Sequence, residues 1–448
     1  MTDDGNHETV PVDGMNFPHY LSAFSSRNYR LYFGGQIVSL IGTWMTQTAS
    51  LWLMYHLTSS AFLLGLTGFA SQIPMFVLAP FAGVWVDRIN RHRLLVVTQI
   101  LSMLQSFALA AFAFTHTISP AILLSLNLVQ GLINAFDMPV RQALVVEFIE
   151  RKEHMGNAIA LNSAMFNVAR LIGPAVAGFV IARHGAGVCY TVDGISYFAV
   201  ILSLLAMRLR ERPARTGPQQ HPWADFKDGF HYAFGFAPIR ALIILVALIS
   251  FAGFSYAVLT PVFARDRFGG DARTLGWLMS SAGVGALCGA IYLGSRVTIR
   301  GLGLVITVGG GCMAAGIMGF ALSHWLPLSM ACLVFTGMGG VLLMASSNTL
   351  VQSMIEDSKR GRVMSIFTMA FTGTMPVGSL LVGAAAENFG VSATLLVTGL
   401  FCAIVVGVFY RQLPRLRKAA APVLAGRDGG GGIAPNSRYG DQSAKSAQ

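Results

Sequence analysis

The chain has 448 residues, 54% hydrophobic and only 11% charged, with a mean hydropathy of +0.60 and a formal net charge of +11. A soluble domain carries about 25% charged residues, so this composition excludes an ordinary soluble enzyme and points to a protein that crosses a membrane many times. The positive charge fits basic loops held on one side of a membrane, and no nucleic-acid partner is expected.

Residues 1–28 are polar, with no basic-then-apolar leader pattern, and read as a tail ahead of a retained first helix. Twelve apolar runs follow, at 31–56, 63–85, 94–115, 119–142, 158–182, 188–207, 239–263, 273–294, 302–323, 326–350, 364–387 and 391–411. Each is close to the ~20 residues a helix needs to cross ~30 Å of hydrocarbon. The one long connection is polar and proline-broken. It divides the chain into a six-helix bundle (29–210), a linker (211–237) and a second bundle (238–412). Residues 413–448, rich in Gly, Ser and Ala, are expected to be a disordered tail.

With twelve spans both termini share one side, and that side holds 26 of the Lys and Arg residues. Four (Arg183, Arg265, Arg267 and Arg273) fall on the other, and Arg170 lies within a span. The positive-inside rule therefore puts both termini in the cytoplasm. Five cysteines sit in or beside apolar runs with no CxxC pair, so neither a metal site nor a cofactor is expected.

The two halves echo each other. ALVVEFIE (143–150) and TLVQSMIE (349–356) both follow the fourth span of a half, and share Leu144/Leu350, Val145/Val351, Ile149/Ile355 and Glu150/Glu356. Paired six-helix repeats with a site between them near the midplane are a transporter plan.

Between the second and third spans stands GVWVDRINRHR (83–93). It resembles the loop signature of the major facilitator superfamily, with Gly83, Asp87, Arg88 and Arg91 at the matching positions and Asn90 where a glycine is usual. NSAMFNVARLIGPAVAG (162–178) is similar to the fifth-helix motif of the superfamily's antiporters. NTLVQSMIEDSKRGRVMS (348–365) with PVG (376–378) resembles the bacterial exporter branch that includes the enterobactin exporter. The resemblance implies an all-α membrane protein of twelve helices in two pseudo-symmetric bundles, monomeric, in the bacterial inner membrane, exporting a small molecule in exchange for protons. It also implies a cytoplasmic gate of Gly83, Asp87, Arg88, Arg91, Arg141 and Arg362, in which Asp87 meets the start of the eleventh span. An importer or a lipid-moving facilitator is the alternative within the same fold. A nucleotide-driven pump is excluded because no GxxxxGK[ST] loop occurs, and no histidine lies deep enough in a span to suggest an enzyme.

Polar residues recur at helical spacing inside three spans. The fourth carries Asn127, Gln130, Asn134, Asp137 and Arg141; the first carries Gln36, Ser39, Thr43, Thr46 or Gln47, and Ser50; the eleventh carries Ser365, Thr368, Thr372 and Ser379. Polar groups in hydrocarbon are costly, so these faces should line water or one another. The expected substrate cavity comprises Gln36, Thr43, Gln47, Asn127, Gln130, Asn134, Asn167, Arg170, Thr368 and Thr372. Arg170 needs a partner, with Asp137 and Asp193 as candidates. The same two acids are the candidates for proton coupling, Asp137 first because it lies on the polar stripe.

Overall fold

The computed structural model describes residues 19–86, 89–149, 151–207, 222–296 and 298–428, which are helical throughout and include no strand. After a short 3-10 turn, the first half is built from α1 (Arg27–Thr58), α2 (Ala61–Val86), α3 (Arg91–Phe114), α4 (Pro120–Glu147), α5 (Met155–His184) and α6 (Ala186–Leu205). The linker carries α7 (Pro222–Gly235). In the second half, α8 (Ala237–Gly253) and α9 (Tyr256–Val262) continue through a π turn into one crossing, Ala237–Arg267. It is completed by α10 (Ala272–Gly294), α11 (Leu302–Leu322), α12 (Leu326–Met354), α13 (Arg360–Phe389) and α14 (Val391–Asp428).

Among the described residues, eleven helical stretches are long and apolar enough to cross a membrane. α1 is not one of them, because Gln36, Ser39, Thr43, Thr46, Gln47, Thr48 and Ser50 dilute its hydropathy. Its 32 residues still reach about 48 Å, well beyond the ~30 Å core. α1 is the first of twelve crossings, and all twelve apolar runs of the sequence coincide with them.

Local chemistry marks the ends. Ser119 accepts the Ile122 N–H ahead of Pro120 at the start of α4, and Asp271 accepts the Arg273 N–H at the start of α10. The internal repeat is visible in the turns. Each half has a 3-10 turn before its fifth helix (Lys152–His154 and Asp357–Lys359), and that helix is 30 residues long in both. Each then stops at a glycine of positive φ, Gly185 at 81° and Gly390 at 83°.

In the linker, α7 packs on α13. One difference from the sequence reading stands out. The tail does not begin at residue 413, because α14 continues to Asp428. RLRKAAA, at 415–421, is made of strong helix formers, which outweigh Pro414 and Pro422.

Candidate functional site

The two halves meet along two helix pairs, α2 with α13 and α5 with α10. At the end away from the termini they touch backbone to backbone. A Cβ on Gly65 would lie 2.4 Å from the Ser379 carbonyl and 2.9 Å from the Gly383 Cα, and one on Gly178 would lie 2.5 Å from the Ala272 carbonyl. Glycine is what allows this approach.

Polar contacts seal the same end. One carboxylate oxygen of Glu387, at the end of α13, accepts the N–H groups of Ala61 (2.6 Å) and Phe62 (3.1 Å) and the Ser60 hydroxyl (3.2 Å). These donors form the N-terminus of α2, where unpaired N–H groups and the helix dipole favour an anion. The Tyr55 hydroxyl donates to Asp266, and Arg265 donates to the Tyr55 carbonyl and the Ser59 hydroxyl. Nearer the middle, Gly283 packs on the backbone of Arg170 and Leu171. Toward the termini the seam helices carry exposed residues. Ala160, Ser163 and Ala164 of α5, Ile291 of α10, and Ser365 and Thr368 of α13 are exposed.

Arg170 stands at the level of Gly283 in the seam. It is half-buried, its guanidinium lies 5.9 Å from the Trp44 ring centre, and it faces the Tyr256 hydroxyl of α9, in the other half. Trp44 in turn makes an edge contact with Phe166 at 5.8 Å, and across the seam Phe254 and Phe371 make another at 5.6 Å. Trp44 and Tyr256 thus bring one ring from each half to the same cation. Thr43 and Gln47 of α1 are exposed, Thr372 is half-exposed, and Asn167 is buried, donating to the Ser163 carbonyl of its own helix. Gln36 is buried.

The partners expected for Arg170 are engaged elsewhere. Asp137 accepts from Arg141, one turn along α4, and from Thr98 (2.8 Å) and Gln99 (2.6 Å) of α3. Asp193 of α6 accepts from Thr46 (2.9 Å) and Ser106 (2.8 Å) through one oxygen, while its other oxygen is buried without a hydrogen bond.

The α4 stripe is bonded within α4 and to α3. Gln130 donates to Ser102 of α3 and to Asn134, Gln105 of α3 donates to the Leu126 carbonyl, and Asn127 donates to its own helix at Leu123. The reason is a matching stripe on α3. Thr98, Gln99, Ser102, Gln105 and Ser106 are all buried and recur at helical spacing. That pattern was available in the sequence and missed.

Of the expected cytoplasmic gate, Asp87 and Arg88 lie outside the described residues, and Gly83 falls in the last turns of α2. Arg91 pairs with Glu147 at 3.0 Å, joining α3 to α4, and Arg141 pairs with Asp137 of its own helix, so both contacts stay within one half. Arg362 lies 3.9 Å from Asp228 of α7, and Gly229 packs on its stem. The acids and hydroxyls at the closed end were not anticipated. Glu387, at the end of an apolar span, was the available signal.

A family model described as transmembrane secretion effector matches residues 19–427. The chain is 25% identical over 382 residues to a staphyloferrin A transporter of Staphylococcus aureus, an alignment covering 85% of this chain and 95% of that one. It is 26% identical over 392 residues to a multidrug efflux pump of Mycolicibacterium fortuitum (84% and 93% covered). It is 22% identical over 403 residues to the enterobactin exporter of Shigella boydii (89% and 95%). Among solved structures, a bacterial homologue of the human lysosomal transporter Spinster, inward-facing and unoccupied, superposes with a TM-score of 0.66 at 13% identity. That match covers 91% of this chain and 99% of the other, and it bears on the fold alone.

Proposed function

Because the chain belongs to the transmembrane secretion effectors of the major facilitator superfamily, and so is a membrane transporter, we propose that it exports a small amphipathic organic molecule by alternating access, in exchange for protons. The observation that supports this reading is the seam itself, sealed by Glu387, Tyr55, Asp266 and Arg265 at one end, with Arg170 further in and exposed residues of α5 and α13 toward the other. With the termini in the cytoplasm, as the 26-to-4 split of basic residues supports, the sealed end faces outward, and an exporter loads from the opposite side. The names of the siderophore and drug exporters it resembles support the direction.

Arg170 and the rings of Trp44, Phe166, Phe254, Tyr256 and Phe371 form the substrate contact. A half-buried guanidinium favours a cargo with carboxylate, phenolate or other acceptor groups, and the rings favour an aromatic or apolar body. Thr43, Gln47, Thr368 and Thr372 supply polar contacts on the open side. Gln130 ties α4 to α3 through Ser102 instead, while Asn127 and Asn134 are bonded within α4.

For the proton we favour Asp193 over Asp137. Asp137 already has its counter-charge in Arg141, so its charge serves the packing of α3, α4 and the cytoplasmic end. Asp193 meets hydroxyls and leaves one oxygen unpartnered in the interior.

Inside-out vesicles loaded by an imposed proton gradient test the whole reading. Uptake of an anionic aromatic cargo into such vesicles, lost on collapsing the gradient and lost in Arg170→Ala, is the expected result. Movement in the opposite sense would make the protein an importer. Movement unaffected by the gradient would remove the proton. A cysteine placed at Asn90 and labelled only from the cytosolic side checks the orientation.

A further inference from the structure

A groove of about 410 Å³ runs between α8 and α14 on the outer surface of the second half, away from the seam. Its floor is apolar along both helices. On α8 it extends from Ala237 to Leu248, and on α14 from Ile404 to Leu416. At 1.5 Å per residue these stretches are about 16 and 18 Å long, close to half of the ~30 Å hydrocarbon core. The groove thus runs from the interface on the side of the chain termini into that leaflet.

The polar groups on its lining gather at that end. Arg240 lies in the first turn of α8, is exposed, and uses one donor on the Phe234 carbonyl at 3.2 Å. The rest of the guanidinium is available. On α14 the lining passes Gln412, and Arg415, one turn further along and exposed, stands beside the mouth. Within this groove α14 leaves the hydrocarbon as an unbroken helix and carries Arg411, Arg417 and Lys418 past the interface. Basic side chains placed just beyond a spanning helix attract anionic headgroups, at about 1 kcal/mol each.

We infer that the α8–α14 groove is a binding site for an anionic phospholipid, with one acyl chain along the apolar floor and the phosphate between Arg240 and Arg415. The apolar floor on the membrane side takes an acyl chain, and the two guanidiniums select a negative headgroup over a zwitterionic one. The inference rests on the membrane reading of the chain and is independent of its cargo and of the direction of transport.

The test is native mass spectrometry of the full-length protein, purified in mild detergent after incubation with equal amounts of phosphatidylglycerol and phosphatidylcholine. The expected result is one retained phosphatidylglycerol, favoured over phosphatidylcholine by at least about fivefold. That preference disappears in Arg240→Gln/Arg415→Gln, whose positions are exposed and do not disturb packing. In Ala241→Phe, which fills the groove midway, the lipid itself is lost. Glycerol 3-phosphate, the headgroup charge without a chain, does not displace it. Equal retention of both lipids overturns the inference, as does a preference that survives the double variant. Displacement by glycerol 3-phosphate also overturns it, because a free-phosphate site has no use for the groove. Transport assays on the same preparation report separately on the export reading.

Discussion

Glu387 and Ala61, 326 positions apart, are joined by a 2.6 Å hydrogen bond from the Ala61 N–H to the Glu387 carboxylate. A carboxylate on the end of one half thereby caps the helix that opens the other. The loop signature at Asp87 implies the same device with the same two helices at the opposite end, there with the carboxylate on the α2 side and the helix start on the α13 side. One helix pair would then carry a latch at each end, of opposite polarity, and only one could be closed at a time.

Glu387→Gln removes the charge and weakens acceptance from Ala61, Phe62 and Ser60. An exposed charge at a helix N-terminus contributes about 1 kcal/mol, so the outward-open fraction should rise about fivefold. Double electron–electron resonance between spin labels on the outer ends of α2 and α13 measures this. An unchanged distance distribution would show that the contact does not set the balance.

Gly65→Leu should act more strongly in the same direction. Its Cβ alone would lie 2.4 Å from the Ser379 carbonyl, which belongs to the backbone of α13 and cannot step aside. The closed outer end becomes inaccessible, and a cysteine placed on the outer part of the seam should react with an impermeant maleimide at least about tenfold faster. The protein should still insert, since Gly65 meets the opposite half and not its own.

The fold was legible because it depends on features that sequence carries directly, and the site was not. Twelve runs of apolar residues and a one-sided distribution of Arg and Lys are enough to draw two six-helix bundles. The stripe from Asn127 to Arg141 was equally visible, but a helical wheel says that polar groups share a face without saying what that face meets. Thr98, Gln99 and Ser102 had to be placed opposite before the stripe became helix–helix contact. Arg170 shows the same limit. Its depth was readable, whereas its neighbours Trp44 and Tyr256 come from helices whose rotation only packing decides.

The α3–α4 contact predicts unequal costs along one stripe. Gln130→Leu forfeits a neutral hydrogen bond to Ser102, worth about 0.6 kcal/mol inside a membrane, and should leave transport intact. Asp137→Ala strands the Arg141 guanidinium together with the Thr98 and Gln99 donors. Breaking a buried ion pair on one side costs about 3 kcal/mol, so its melting temperature in detergent should fall by several degrees. Similar melting temperatures for the two variants would contradict the assignment.

Arg170→Ala should reduce export to the background of empty vesicles while membrane levels stay normal. The side chain contacts rings and the Tyr256 hydroxyl, so its removal strands no buried carboxylate. Arg170→Lys keeps the charge but loses the planar stacking on Trp44, and transport should fall by roughly tenfold. Normal export from the alanine variant, measured with the same cargo, would take Arg170 out of the mechanism.

The two buried acids separate coupling from architecture. Asp193→Asn preserves shape and can still accept from Thr46 and Ser106, but it cannot exchange a proton. The expected outcome is cargo that still binds and equilibrates down its own gradient, with accumulation against that gradient abolished and the pH dependence of the rate flattened. Asp137→Asn should lower stability through the Arg141 pair while leaving the pH profile of the surviving protein unchanged. Gradient-driven uptake across a range of external pH, run on both variants in parallel, decides between them. If the profile flattens for Asp137→Asn and persists for Asp193→Asn, the proton travels through α4, and the unpartnered oxygen of Asp193 has only a packing role.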